Sequence, residues 1–160
     1  MNKREEKLYP EIEKWLKTYL EGKYPKHQVR TTYTSSRLNL EVVLRKFGIN
    51  PTLAIGLRIK VDVIGIISRN NQHSLVFVEV KDKELNLKDL GQLWGYSQLM
   101  EPIESFLISS KGFGGLSKLF NVLKREDLLK YGQTGTKYMN IAKWDTKRKS
   151  IDYATLIPKN

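Results

Sequence analysis

The sequence predicts an α/β domain, with a central mixed β-sheet flanked by helices in the order α-β-β-β-α-β-α and a C-terminal β-hairpin. Three observations carry this. Segments 4–22, 86–101 and 115–130 place apolar residues at helical spacing. Residues 57–67 alternate like a strand, and 75–80 form a near-continuous apolar run, as in a central strand covered on both faces. Residues 138–144 and 151–157 alternate again, around the basic tip DTKRKS. Helices interleaved with strands define a two- or three-layer α/β domain. At 160 residues, 40% of them hydrophobic, the chain suits one domain spanning 1–160.

In the first helix Leu8, Ile12, Trp15, Leu16 and Tyr19 form the apolar stripe. Pro10 is tolerated only in a first turn, so the regular helix begins near residue 6 or later. Gly22 is its stop. Residues 27–34 carry strand formers, and 35–49 read as a short helix or an irregular excursion. Asn50-Pro51 marks a turn. Over 57–67, Leu57, Ile59, Val61, Val63 and Ile67 share one face, and Arg58, Lys60, Asp62, Ile64 and Ile66 the other. A polar turn at 69–72 leads into the apolar run. Pro102 ends the helix at 86–101, and 105–109 is a short strand. Residues 111–115 (KGFGG) form a flexible connection. The helix at 115–130 turns Leu116, Leu119, Phe120, Leu123 and Leu128 inward.

The formal net charge is +11, from 28 basic and 17 acidic residues. Such an excess attracts polyanions and says little about fold. A membrane partner would need a long apolar run or a basic amphipathic anchor, and neither is evident. The N-terminus MNKREEKLYP lacks the apolar stretch of a signal peptide, so a cytoplasmic location is expected. The absence of cysteine removes disulfides, thiolate catalysis and zinc–thiolate sites together. His27 and His73, far apart in sequence, make a poor start for a histidine-rich metal site.

Asp62 and Glu79 lie symmetrically about the Asn70–Asn71 bond. Asparagine tolerates the positive φ of tight hairpin turns. A turn centred there sets the two acids directly opposite each other, with Cβ atoms roughly 4.5–5.5 Å apart. Lys81 projects from the same face as Glu79. Opposed carboxylates repel, and the arrangement makes sense with a cation between them. Magnesium takes oxygen ligands from one or two carboxylates, then water and phosphate. It makes a water easier to deprotonate and stabilises charge building on a phosphate. A lysine beside it orients the water or offsets negative charge. The bland alternative is a half-exposed strand face whose two acids are neutralised by Lys81.

At these residues the chain resembles the PD-(D/E)XK nuclease superfamily, which includes restriction endonucleases, archaeal Holliday-junction resolvases and RecB-type nucleases. The matching text is KVDVIGI (60–66), VFVEVKDK (76–83) and GQLWGYSQL (91–99). Val61 stands where the motif name has proline. The resemblance implies a restriction-endonuclease-like core and a Mg²⁺-dependent deoxyribonuclease, with Mn²⁺ able to substitute. It makes Asp62 and Glu79 metal ligands, adds the main-chain carbonyl of Val80, and assigns the water to Lys81. Gln92 and Tyr96, four apart on one helix face, match a Q-x-x-x-Y pattern of the RecB-like branch and would support a substrate phosphate. A glutamate on the first helix often joins the metal. At about 100° per residue, Glu5 falls close to the apolar stripe, whereas Glu6, Glu11 and Glu13 lie about 100° or more away. Glu5 is therefore the first candidate and Glu6 the next. A homodimer is the habit of resolvases and many restriction enzymes, although no interface signature is visible. The alternative within this fold is a catalytically inactive DNA-binding module.

Several basic residues are candidate DNA contacts. Arg58 and Lys60 flank Asp62 and either hold phosphates or balance the acids. Lys83 lies one strand step beyond Lys81. Lys111 opens a glycine-rich turn whose N–H groups either face a phosphate or form a plain connection; it lacks the P-loop signature. Lys147, Arg148 and Lys149 at the hairpin tip either touch DNA or are solvated. Arg30, Arg37 and Lys46 form a further basic segment without a defined orientation. Trp15 and Trp94 read as core.

Overall fold

The computed structural model describes residues 3–33 and 37–159. The first helical segment is two pieces, α1 (Lys3–Glu6) and α2 (Tyr9–Lys23), because Pro10 takes the first turn of the longer one. Strand β1 (Gln28–Thr32) follows, then α3 (Leu40–Lys46). Thr34, at the end of the expected strand, and Ser35 and Ser36, at the start of the ambiguous segment, lie outside the described residues. Next come β2 (Val63–Arg69), β3 (Gln72–Lys81), α4 (Leu87–Met100) and β4 (Glu104–Ser109). Helix α5 (Leu116–Asn121), the short strands β5 (Lys130–Tyr131) and β6 (Lys137–Tyr138), and the hairpin β7 (Asn140–Asp145) and β8 (Ser150–Ile157) complete the chain.

Six strands form one mixed sheet in the order β1-β2-β3-β4-β7-β8. The pairs β1/β2, β2/β3 and β7/β8 are antiparallel; β3/β4 and β4/β7 are parallel. On one face α2 buries Ile12, Leu16 and Leu20 against Val63, Ile67, Val76 and Val78. A Cβ on Gly65 would come within 2.7 Å of Leu20 Cδ1, so the bare backbone lets the helix settle onto β2. The opposite face buries Ile64, Ile66, Phe77 and Leu107 under α3, α4 and α5. Among the described residues no helix is long and apolar enough to cross a membrane.

Two expectations are corrected. Residues 57–62 are not strand: Arg58 is left-handed at φ 53°, and the ladder begins at Val63. Ile59 and Val61 pack with Ile64 and Ile66 rather than with Val63 and Ile67, so the alternation slips near Asp62. The helix expected over 115–130 stops after α5. Lys124 turns left-handed at φ 57°, and a 3₁₀ turn covers Glu126–Leu129. Leu123 is consequently exposed, and Leu129 takes the buried place.

Because β3, β4 and β7 run parallel, Lys81, Ser109 and Lys143 stand side by side near their carboxyl ends. The 82–86 loop, the 110–115 turn and the hairpin tip all leave the sheet at that end. In open α/β sheets this is the end that receives ligands.

Candidate active site at the carboxyl end of the sheet

The expected hairpin forms. Asn70 and Asn71 have φ of 53° and 61°, as a type I′ turn requires. The register runs from Arg69↔Gln72 to Val63↔Val78, and its next step sets Asp62 against Glu79. There the backbone of β2 leaves the ladder, and a side chain replaces it: Asp62 Oδ2 accepts the Val80 N–H at 2.8 Å. The Lys81 carbonyl accepts from Ser110 N–H at 3.0 Å on the β4 side. Peptide edges alternate along a strand, so the N–H and C=O of Val80 both face the side that β2 has vacated.

Asp62 and Glu79 are 8% and 5% exposed, a depth at which carboxylates normally have full partners. Glu79 does not: its Oε2 is buried without a hydrogen bond. Lys81 Nζ stands 3.6 Å from Glu79 Oε1, an ion-pair distance too long for a good hydrogen bond. Burial, then the charge of Asp62, pushes the Glu79 carboxyl well above the usual carboxylate range. Burial also raises Asp62, against the pull of its hydrogen bonds with Glu79, the Val80 N–H and Tyr9 and of the Lys81 charge. For Lys81 burial acts downward, but Glu79, Glu5 and Asp62 outweigh it and the net shift is upward. Lys81 is therefore a cation at neutral pH.

Glu5 reaches this end of the sheet, though by another route than the helical stripe. It sits on α1, ahead of the break, and is 9% exposed. The Tyr9 hydroxyl lies 3.1 Å from Glu5 Oε1 and 3.0 Å from Asp62 Oδ1, joining the two acids. Burial raises the Glu5 carboxyl, with Lys81 opposing. Glu6 is engaged elsewhere, by both contacts of Arg37 at 3.1 Å. Among the described residues no three or more His, Cys, Asp or Glu side chains group as a metal-holding set. Any cation here would thus rest on Asp62, Glu79 and the Val80 carbonyl, with Glu5 reaching the centre through Tyr9. Tyr9 had a sequence signal in its spacing of four from Glu5.

On α4, Gln92 Nε2 donates to Tyr96 Oη at 3.2 Å, so the pair shares a helix flank as its spacing implies. Gln92 is exposed and Tyr96 half-buried. At about 100° per residue that flank also carries Asp89, which sequence reasoning missed. Asp89 is 6% exposed and closes a capping box with Asn86, an N-x-x-D pattern readable in the sequence. Its Oδ2 lies 2.5 Å from Lys83 Nζ, so Lys83 ties the 82–86 loop to α4 while its side chain stays 48% exposed.

Among the other basic candidates, Arg58 and Lys60 are exposed. With 57–62 irregular, strand alternation no longer sets them on Asp62's face. Lys111, Lys147, Arg148 and Lys149 are exposed at the carboxyl end of the sheet. Arg148 lies 3.7 Å from Asp145, and Lys149 lies 3.9 Å from Glu11. In the glycine-rich turn the Glu84 carboxylate packs against Gly114, 3.1 Å from where its Cβ would be. Arg30 is structural: it donates to the Phe47 carbonyl at 3.1 Å and lies over the Phe47 ring. Trp15 is core at 9% exposure, but Trp94 is 40% exposed and donates to the Lys130 carbonyl at 2.8 Å.

Comparison with protein-family models, curated proteins and solved structures finds no match to this chain.

Proposed function

We propose that the chain is a cytoplasmic, metal-dependent deoxyribonuclease with a restriction-endonuclease-like core, hydrolysing phosphodiester bonds at the Asp62–Glu79–Lys81 centre. The observation that carries this reading is the buried, opposed acid pair with an orphaned Glu79 Oε2. A lone pair buried without a donor costs stability, roughly 1–3 kcal/mol, unless something fills the gap. The donors here are carboxylate and carbonyl oxygens, the set a hard divalent cation prefers. Asp62, Glu79 and the Val80 carbonyl would hold Mg²⁺, or Mn²⁺ in its place. Bound there, it would supply Lewis-acid stabilisation of phosphate charge and a more easily deprotonated water.

The residues themselves divide the remaining work. Lys81, held as a cation, donates to the attacking water or a phosphate oxygen and does not serve as the base. Gln92 and Tyr96 offer further polar groups on the flank shared with Asp89. The exposed cations at the carboxyl end, with the net charge of +11 behind them, supply sequence-independent attraction to the DNA backbone.

One observation favours a DNA-binding module without turnover: both oxygens of Asp62 already accept hydrogen bonds, from Tyr9 and from Val80. A single panel separates the readings. Labelled linear, nicked, branched and single-stranded DNA is incubated with Mg²⁺, Mn²⁺ or EDTA. Cleavage that needs the cation and disappears in Asp62→Ala and Lys81→Ala supports the nuclease. Binding without cleavage by the unaltered chain supports the module, and undiminished cleavage by both variants rules out this centre.

A further inference from the structure

We infer that Tyr9 is a positioning residue, which locks Asp62 in the orientation that receives a divalent cation and couples the first helices to the centre. This rests on the proposed metal-dependent reading and deepens it. The ring of Tyr9 is 2% exposed, packed in the cluster of Ile12, Leu16, Val78 and Val80 on the α2 face of the sheet. Its backbone opens α2, where Pro10 restricts the chain. Ring and backbone are thus fixed before the hydroxyl is considered. That hydroxyl passes to the open end of β2, and meets Asp62 Oδ1 at 3.0 Å and Glu5 Oε1 at 3.1 Å.

The geometry at Asp62 makes this contact more than a satisfied polar group. Beyond Val63 the β2 backbone no longer holds the chain to β3. The carboxylate is held instead from two sides, by the Val80 N–H at Oδ2 and by Tyr9 at Oδ1. The two donors come from different elements, so the plane of the carboxylate is fixed against rotation. A carboxylate oxygen carries two lone pairs, so accepting from Tyr9 or from Val80 does not by itself bar it as a ligand. A phenol carries one proton, so Tyr9 cannot satisfy Glu5 and Asp62 fully at once. Glu5 is thereby tethered beside the centre without being spent on it. Partners that orient a metal-binding side chain typically change metal affinity or activity by about 10–100-fold when removed.

The same helix provides a control. Tyr19 also delivers a hydroxyl to a buried acid, Glu104, at 2.6 Å, but at the opposite end of the sheet. Tyr9→Phe and Tyr19→Phe each remove one oxygen and keep the ring. Mn²⁺ affinity is measured by electron paramagnetic resonance of the free ion, and amide exchange of Val80 is followed in EDTA. Tyr9→Phe is expected to weaken Mn²⁺ binding by about 10–100-fold and to accelerate exchange at Val80. Tyr19→Phe is expected to change neither. Unaltered Mn²⁺ affinity in Tyr9→Phe overturns the inference. If the unsubstituted chain binds no Mn²⁺, the metal reading itself fails, and Val80 exchange decides the role of Tyr9: acceleration confined to Tyr9→Phe upholds it, and no change overturns it.

Discussion

Two buried acid clusters sit at opposite ends of this sheet, and helix α2 sends a tyrosine to each. At the amino end of β4, Glu104 is 6% exposed and accepts Tyr19 at 2.6 Å, Tyr24 at 2.8 Å and Lys23 at 3.1 Å. One carboxylate meets three donors, and nothing is left over. At the carboxyl end of β3, Tyr9 and the Val80 N–H donate to Asp62, a lysine stands 3.6 Å from Glu79, and Glu79 Oε2 is orphaned. Both clusters are deep, polar and built from the same residue types. Only one sets two carboxyl groups against each other and leaves an oxygen without a donor. A buried acid whose oxygens all have partners is structural; a buried pair that leaves an oxygen unpartnered is where function is to be sought.

The largest expected effect lies at the frustrated end. Asp62→Ala and Lys81→Ala should each lower cleavage by about 10²–10⁴-fold, the usual range for a positioned proton-handling or charge-stabilising group. DNA affinity should hold within a few-fold, as read by titration at fixed salt. At the satisfied end the sign of importance reverses. Glu104→Ala removes the acceptor of two half-buried tyrosine hydroxyls, and a buried polar group left unpaired costs about 1–3 kcal/mol. For a chain of this size, every kcal/mol lowers Tm by about 2–4 °C. Cleavage below the transition should be unchanged. A loss of cleavage in folded Glu104→Ala would erase the distinction between the two ends.

How much of each end was legible in the sequence follows from what holds it. The acid pair was readable because two asparagines centre a turn and strand alternation does the rest; Lys81 follows from Glu79 by the same alternation. Gln92 and Tyr96 needed only helical spacing. Where β2 ends was not readable, because Leu57, Ile59 and Val61 continue an apolar alternation after the ladder has stopped. Ile59 and Val61 are buried all the same, on a face the alternation does not assign. The break in α5 was hidden likewise: Leu123 and Leu128 keep a helical rhythm that Lys124 interrupts. Tyr9 had only its spacing of four from Glu5 as a signal, and the helix break moved Glu5 off the stripe used to choose it. Glu104 was invisible because its partners lie some 80 residues away, on α2 and the turn after it.

The next effect is a stability change of opposite sign at the two ends. The folded-state value of Glu79 is raised above its ordinary 4.5. Its contribution is present in full below that pH and is lost as pH rises through the raised value. In EDTA the chain should therefore lose stability on going from acid to alkaline buffer, and Glu79→Gln should lessen that loss. Glu104→Gln, which gives up a charged acceptor for two phenols and an ammonium, should only destabilise. Magnesium should restore the unsubstituted chain at pH 8, by about 2.7 kcal/mol at a hundredfold excess over its dissociation constant. It should do less for Glu79→Gln. Thermal melts across pH, with and without Mg²⁺, read all of this. Equal Mg²⁺ shifts in the two chains would remove Glu79 from the ligand set.

The smallest effect concerns the charges around each end rather than the acids within. Lys147, Arg148 and Lys149 project from the β7–β8 tip, on the side where β3 and β4 also end. Lys26 and Arg69 lie toward the Asn70–Asn71 turn, since β1 begins opposite Ser68. If DNA approaches the carboxyl end, only the first group neutralises phosphates. Removing one phosphate-neutralising cation should lower the slope of log affinity against log salt by about 1. Replacing all three tip residues by alanine should flatten that slope, whereas replacing Lys26 and Arg69 should leave it nearly as it was. The ion pairs the tip forms with Asp145 and Glu11 are on the surface and contribute little, so its fold should survive the change. Binding isotherms at several salt concentrations measure the two slopes. Equal flattening by both sets would mean that the protein presents a diffuse positive surface, and the polarity between its two ends would then belong to the buried acids alone.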